Sequence, residues 1–309
     1  MIPLLEFKNL KELMTKLADE KVCRAYVEQM RWGGNPVCPH CGETKPYRLK
    51  DGKAFRCRNK GCKKDFSITV GTIFENSKIA LSTWLAAIYV LTAHKKGISS
   101  HQLARDLGVC QKTAWFLNHR IRLIMDIPDP EPLDNVVEVD ETYVGGKLPL
   151  MNRGRRKKWQ ELGIDNKVPV MGLVQRDGKA KLIVIGNRPF KDVIRDNVDN
   201  TATVYTDAHA GYELLNQEYA KHEAVNHSIQ EYKRGDVYTN TVEGFFSLFK
   251  RMIHGTYHQI SPKHLSRYCA EITYRFNSRK IKDAERFKRT ISNVEGRLKY
   301  KNLIQKTPS

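Results

Sequence analysis

Apolar residues recur at helical spacing through the first part of the chain and in strand-length runs through the second. Leu10, Leu13, Met14 and Leu17 share one helical face, followed by Tyr26, Val27 and Met30, which predicts a helix over 8–31. Gly33-Gly34-Asn35-Pro36 ends it. Residues 37–70 read as short strands and turns around cysteines. Three helices follow, Trp84–Lys95, His101–Leu107 and Lys112–Met125. Gly97 stops the first, Ser99-Ser100 can cap the second, and Gly108 turns the chain into the third. Pro128, Pro130 and Pro132 form a stiff connector and a domain boundary. Beyond it, strand patterns lie at 136–144, 168–176, 180–186 and 202–206, with a basic, glycine-containing loop at 145–167. Helical patterns at 210–219, 241–253 and 262–276 close the fold.

These elements predict an α/β protein: a mixed sheet flanked by helices, preceded by a metal ribbon and a helix-turn-helix. The predicted segments are 1–35 (helical), 36–75 (ribbon), 78–127 (helix-turn-helix), 133–285 (sheet domain) and 286–309, a basic, loosely held C-terminal tail.

Charge changes the picture most. Lys and Arg number 53 against 34 acidic residues, a formal net charge of +19. Such a surplus calls for a polyanionic partner, and nucleic acid is the commonest one. The run Arg153-Gly154-Arg155-Arg156-Lys157-Lys158 contributes, although a run of that kind is usually a solvated loop. The longest apolar run, Trp84–Ala93, is too short for a bilayer, which needs about 20 residues. The N-terminus carries no signal-peptide pattern. The expectation is a soluble protein of the cytoplasm, associated with the nucleoid.

Four of the seven cysteines are paired closely: Cys38 with Cys41, and Cys57 with Cys62. Two short-spaced pairs 16 positions apart suit a tetrahedral four-thiolate zinc site. His40, inside the first pair, can replace a sulfur, but four cysteines suffice. Arg48, Lys50, Arg56 and Arg58 are among the cations around the site; they either contact phosphates or form a solvated rim. In the helix-turn-helix, Leu103, Ala104, Leu107 and Val109 pack inward, and Trp115, Phe116 and Ile121 read as core. Gln111, Lys112, Thr113 and Asn118 are then the residues that reach DNA. A plain helical hairpin is the competing reading.

Asp140 lies at the end of the strand Val136-Val137-Glu138-Val139-Asp140, Asp207 follows the strand Ala202–Thr206, and Glu243 opens a helix with Lys250 two turns on. Three carboxylates from two strand ends and a helix can meet and hold a pair of Mg²⁺ or Mn²⁺ ions. By strand alternation Glu138 shares the face of Asp140 and is the likelier competitor, whereas Glu141 points away. Asn240 is either an N-cap or a further ligand, and His209 either touches a phosphate or orients its loop.

The chain resembles the DDE transposases of bacterial insertion sequences, in the group with an N-terminal zinc ribbon and an ISXO-like, ribonuclease H-type catalytic domain. The resemblance runs from about Lys16 to Arg279 and is carried by Cys38-Pro39-His40-Cys41-Gly42, Val139-Asp140-Glu141-Thr142-Tyr143-Val144-Gly145-Gly146, Thr206-Asp207-Ala208-His209, Asn240-Thr241-Val242-Glu243-Gly244-Phe245-Phe246-Ser247 and Tyr274-Arg275-Phe276-Asn277-Ser278-Arg279. It implies Asp140, Asp207 and Glu243 as the catalytic triad and Lys250 as the adjacent basic residue. Related sequences carry Asn in place of the third acid, so Asn240 keeps a claim to that role. The implied activity is metal-dependent cleavage at the terminal inverted repeats, then in-line transfer of the freed 3′-hydroxyl into target DNA by an oligomer. Two other readings compete: a DNA-binding regulator with an inert catalytic fold, and a nuclease that nicks without joining.

Overall fold

The computed structural model describes residues 5–145 and 167–305, together with Arg153, Gly154 and Lys157. The rest of the basic run at 153–158 and most of the loop expected at 145–167 lie outside the described residues. The chain divides into two compact units, Met1–Ile127 with Lys280–Ser309, and Pro128–Arg279.

The first unit opens with two helices, α1 (Leu10–Lys16) and α2 (Glu20–Trp32), where one was expected. Asp19 separates them: it is extended, at φ −85° and ψ 130°, and its side chain accepts from the Lys21 amide as the cap of α2. A three-stranded antiparallel sheet follows, in the order β1 (Tyr47–Arg48), β2 (Ala54–Arg56), β3 (Asp65–Ser67). Phe55 and Phe66 stack at 5.5 Å on this ribbon, both edge-on to Trp32. The helix α3 (Leu81–Ala93) is apolar and buried around most of its circumference. Then come α4 (Ser100–Leu107) and α5 (Gln111–Met125). Ser99 accepts from the Gln102 amide, and Gly108 takes the left-handed conformation, φ 64°, which a side chain would resist. Together α4 and α5 form a helical pair joined by a tight turn, at the place where the helix-turn-helix was expected.

The second unit is built on a five-stranded mixed sheet of β4 (Val136–Val144), β5 (Val168–Gln175), β6 (Ala180–Val184), β7 (Thr203–Asp207) and β8 (Lys221–Val225). Their spatial order is β6-β5-β4-β7-β8. The β4–β5 and β5–β6 pairs are antiparallel, whereas β7 runs parallel to both β4 and β8. Helices cover both faces, the ribonuclease H-like arrangement expected. On one face α6 (Phe190–Arg195) and the 3-10 helix Ala210–Gln217 pack Val193, Ile194, Tyr212 and Leu215 against Val137 and Val139. On the other, α7 (Asn240–Met252) and α8 (Leu265–Asn277) cover Val170, Val174 and Leu182. The buried stripe of α7 is Val242, Phe245, Phe246, Phe249 and Met252. At about 1.5–3 kcal/mol per buried side chain, before entropy costs, it holds the helix firmly on the sheet. Odd positions of β4 face α6 and even positions face α7, so Glu138 and Asp140 lie on the side of α7.

The residues after 279 return to the first unit, contrary to the expected loose tail. There α9 (Asp283–Ile291) inserts Phe287, fully buried, between Phe7 (centroids 5.2 Å), Tyr89 (6.0 Å) and Tyr26 (6.2 Å). The chain then pairs with the segment after the ribbon: Ile73 donates to the Val294 carbonyl and Gly296 to that of Gly71. Arg120, buried in α5, donates to the carbonyls of Leu298 (3.1 Å) and Ile73 (2.6 Å). Finally α10 (Tyr300–Ile304) sets the Tyr300 ring edge-on to Phe116. The anchors Phe287, Ile291, Val294, Leu298 and Leu303 are spread among polar and charged residues, which is why composition hid them.

Candidate active site

Strands β4 and β7 pair from Val136↔Thr203 to Glu138↔Tyr205, and no further pair follows. Beyond that point they part, and the opening carries Asp140 on one strand and Asp207 at the end of the other. Carboxylate oxygens of Asp140, Glu141 and Asp207 all lie within 4.8 Å of one another. Glu141 was expected to point away. It does leave β4 on the opposite face, where the Tyr212 hydroxyl donates to its Oε2 at 2.6 Å, but its longer side chain reaches round the open strand end. Asp140 Oδ1 accepts from the Glu141 amide at 2.8 Å, and Asp207 Oδ1 from that of His209 at 3.3 Å. The His209 ring lies on Phe190 and its Nδ1 accepts from the Gly211 amide, so it orders the turn after Asp207.

Burial, reinforced by the charges of Asp207, Glu141 and Glu243, pushes the Asp140 carboxyl up to about 7. Clustered anions of this kind favour a proton or a cation between them. Hard oxygen donors suit divalent magnesium or manganese.

Glu243 is brought to this end of the sheet by α7, outside the three-oxygen cluster but near enough for its charge to raise Asp140. Two features hold the helix there. Glu138, fully buried, turns its carboxylate onto the first turn of α7: Oε2 accepts the Thr241 amide at 2.7 Å and the Val242 amide at 3.1 Å, and Oε1 the Thr241 hydroxyl at 2.8 Å. Arg176 pairs with Glu138 Oε1 at 2.7 Å and also donates to the carbonyls of Asp236 and Tyr238. Glu138 is therefore a helix anchor rather than a competing ligand. Gly172, opposite Asp140 on β5, is the second feature. A Cβ there would stand 2.7 Å from the Phe246 ring and 2.9 Å from Val242 Cγ2, so only glycine admits α7 this close.

Asn240 is exposed at the first position of α7, and Thr239 is the N-cap residue. The capping expected of Asn240 is done by Glu138, which already takes the amides that follow. The Thr239 hydroxyl donates to Glu243 Oε1 at 3.2 Å. Lys250 is exposed in the last turn of the same helix.

The ISXO2-like transposase domain matches residues 132–277, and the transposase zinc-ribbon domain matches residues 18–65. An uncharacterized protein in transposable element ISH50 of Halobacterium salinarum is 31% identical over 238 residues, which span 73% of this chain and 80% of that relative. The chain belongs to the ISXO2-like transposase family. A shorter match, 30% identical over 90 residues, joins 29% of this transposase to 72% of a transposase-like protein of Haemophilus influenzae.

In the first unit of the transposase the ribbon brings together Cys38, Cys41, Cys57 and Cys62, with one sulfur of each within 4.8 Å of the others. The closest approach, Cys41 to Cys57, is 3.4 Å, too long for a disulfide at about 2.05 Å and suited to ligands around one ion. Gly42 takes φ 77° and its amide donates to the Cys38 carbonyl, folding the first knuckle. In the α4–α5 pair, Gln111 and Lys112 are exposed at the start of α5; Gln111 donates to the Ser100 hydroxyl and Lys112 lies over the Tyr300 ring at 5.0 Å. Thr113 is half-buried, 3.1 Å from the Cys110 sulfur. Asn118 corrects the sequence expectation: it is 2% exposed and donates to the Ile98 carbonyl, so it ties the helices together and does not reach DNA. Trp115 and Phe116, expected in the core, are half-buried beneath Tyr300. Sequence reasoning missed Gly172, Tyr212 and the anchoring part of Glu138; a glycine inside an otherwise apolar strand was the one available signal. Among the described residues no helix is long and apolar enough to cross a membrane.

Proposed function

We propose that this transposase binds the terminal inverted repeats of an insertion sequence and catalyses DNA cleavage and strand transfer as a DDE-type polynucleotidyl transferase. The observation that carries the reading is the meeting of Asp140, Glu141 and Asp207 at a splayed strand end, with α7 anchored beside them. Asp140, Asp207 and Glu243 hold two divalent cations, Mg²⁺ or Mn²⁺, and the Cys38, Cys41, Cys57 and Cys62 thiolates hold a structural Zn²⁺. Bound cations supply Lewis-acid polarisation of a phosphodiester and stabilise charge on the oxygens that attack and leave. Lys250 holds a DNA phosphate by a charge-assisted contact. Asn240, exposed one turn before Glu243, is the alternative third ligand.

In the first reaction the oxygen of water bonds to phosphorus at the end of the element, and the 3′-oxygen leaves and takes up a proton. In the second, that 3′-hydroxyl bonds to a target phosphorus, gives up its proton, and displaces the target's own 3′-oxygen. No side-chain nucleophile is needed. Joining two ends at once requires at least two copies of the chain on DNA. Gln111, Lys112 and Thr113 contact the repeat, and the +19 charge supplies attraction for the backbone. The reaction takes place on nucleoid DNA in the cytoplasm.

The test uses end-labelled terminal repeats, a target plasmid and Mg²⁺. Wild type nicks and joins, and Asp140→Asn binds the repeat but does neither. Binding without cleavage by wild type marks a regulator, nicking without joining marks a nuclease, and either result overturns the proposal.

A further inference from the structure

One more side chain approaches Glu243, from the loop after β8. His227 opens the short 3-10 turn His227–Ile229. That loop is pinned: Glu231 accepts from the Asn226 amide at 3.1 Å, and Arg234 donates to the Ala224 carbonyl at 3.1 Å. The imidazole packs against Tyr232, with ring centroids 5.4 Å apart. Its Nε2 is buried without a hydrogen-bond partner and stands 4.0 Å from Glu243 Oε1. A buried polar atom left unsatisfied costs free energy, and its persistence calls for a reason. Oε1 is also the oxygen that accepts from Thr239, at 3.2 Å. One donor, the Thr239 hydroxyl, and the His227 ring nitrogen thus approach the same oxygen of Glu243 from separate segments, and no hydrogen bond to the other oxygen is found among the described residues.

We propose that His227 is a positioning residue for Glu243: its Nε2–H would close onto Oε1 and, with Thr239, fix the side chain in a rotamer that leaves Oε2 free to hold a cation. This rests on Glu243 being a cation ligand. Outer partners of metal-binding carboxylates act in this way, orienting the ligand without touching the ion.

The test is Mn²⁺ binding to the full-length, zinc-loaded protein, measured by calorimetry without DNA. His227→Phe keeps a ring packed on Tyr232 but removes the donor, and it weakens Mn²⁺ binding about tenfold. His227→Gln restores a donor and recovers most of the affinity. In cleavage assays His227→Phe is slow at low Mn²⁺ and approaches the wild-type rate at saturation, so the effect lies in metal occupancy rather than kcat. Both variants retain the wild-type melting temperature in the absence of Mn²⁺. If His227→Phe binds Mn²⁺ like wild type while Glu243→Gln binds weakly, His227 has no positioning role. If Glu243→Gln leaves binding unchanged while Asp140→Asn abolishes it, Glu243 is not a ligand and both assignments fall. Equal losses for His227→Phe and His227→Gln would also overturn the proposal, since a donor would then not be what matters.

Discussion

Replacing Gly172 by alanine adds one carbon at the tightest contact between the sheet and α7. The new Cβ would meet Phe246 Cε1 at 2.7 Å, Phe246 Cζ at 2.8 Å and Val242 Cγ2 at 2.9 Å. Carbon atoms settle at about 3.5–4.0 Å, so the helix or the Phe246 ring must give way by roughly 1 Å. Overpacking of this kind costs about 1–3 kcal/mol. For a unit the size of Pro128–Arg279 that lowers the melting temperature by about 2–12 °C, which leaves it folded at 25 °C. The effect on catalysis is larger, because Glu243 follows Val242 directly and moves with it. A misplacement of about 1 Å at a reacting centre costs on the order of 100-fold in rate. The assay is Mg²⁺-dependent nicking of a labelled terminal repeat at saturating DNA, with repeat binding measured in parallel. Gly172→Ala should bind normally and nick about 100-fold more slowly. Adding Phe246→Leu, which removes the two nearest ring atoms, should restore part of the rate. A folded Gly172→Ala that nicks at the wild-type rate would refute the claim that close packing at this glycine sets the position of Glu243.

Three further outcomes are expected. Because the folded Asp140 carboxyl titrates near 7 and the unfolded one near 3.8, the native state binds the extra proton between those values. Metal-free stability therefore falls as pH rises from about 4 to about 7, and Asp140→Asn removes this loss, raising the melting temperature at pH 8; a flat profile for wild type contradicts it. Chelation of zinc, or Cys57→Ser, should unfold the ribbon and leave the second unit's thermal transition in place, as read by heteronuclear NMR. Phe287→Ala should cost about 3–5 kcal/mol in the first unit and abolish repeat binding, whereas a loosely held tail would show no loss in denaturant titration.

The catalytic sheet was legible where burial is two-sided or alternating. The run from Val136 to Asp140 and the strand before Asp207 announce themselves, as does the apolar stripe of α7. β8 was not legible, because Lys221-His222-Glu223-Ala224-Val225 is an edge strand with only Val225 fully buried. The short α6 is likewise held by packing rather than by pattern, whereas the helical pattern at 210–219 was legible and is found as the 3-10 helix Ala210–Gln217. At the site, residue types on strand ends could be read, but their convergence could not. The reach of Glu141 depends on where β4 and β7 part, and the burial of Asn118 on how α5 meets the Ile98 carbonyl. Both are tertiary facts with no periodic trace. The C-terminal helices show the same limit, since five apolar anchors spread through a basic segment look like a solvated tail until their pockets are seen.

The first unit is assembled from both ends of the polypeptide, with Lys280–Ser309 completing what Met1–Ile127 begins. During translation Phe7, Tyr26 and Tyr89 wait for Phe287 until the whole catalytic portion has left the ribosome. A message that stops early then yields a product that lacks Phe287 and whose first unit stays unfinished.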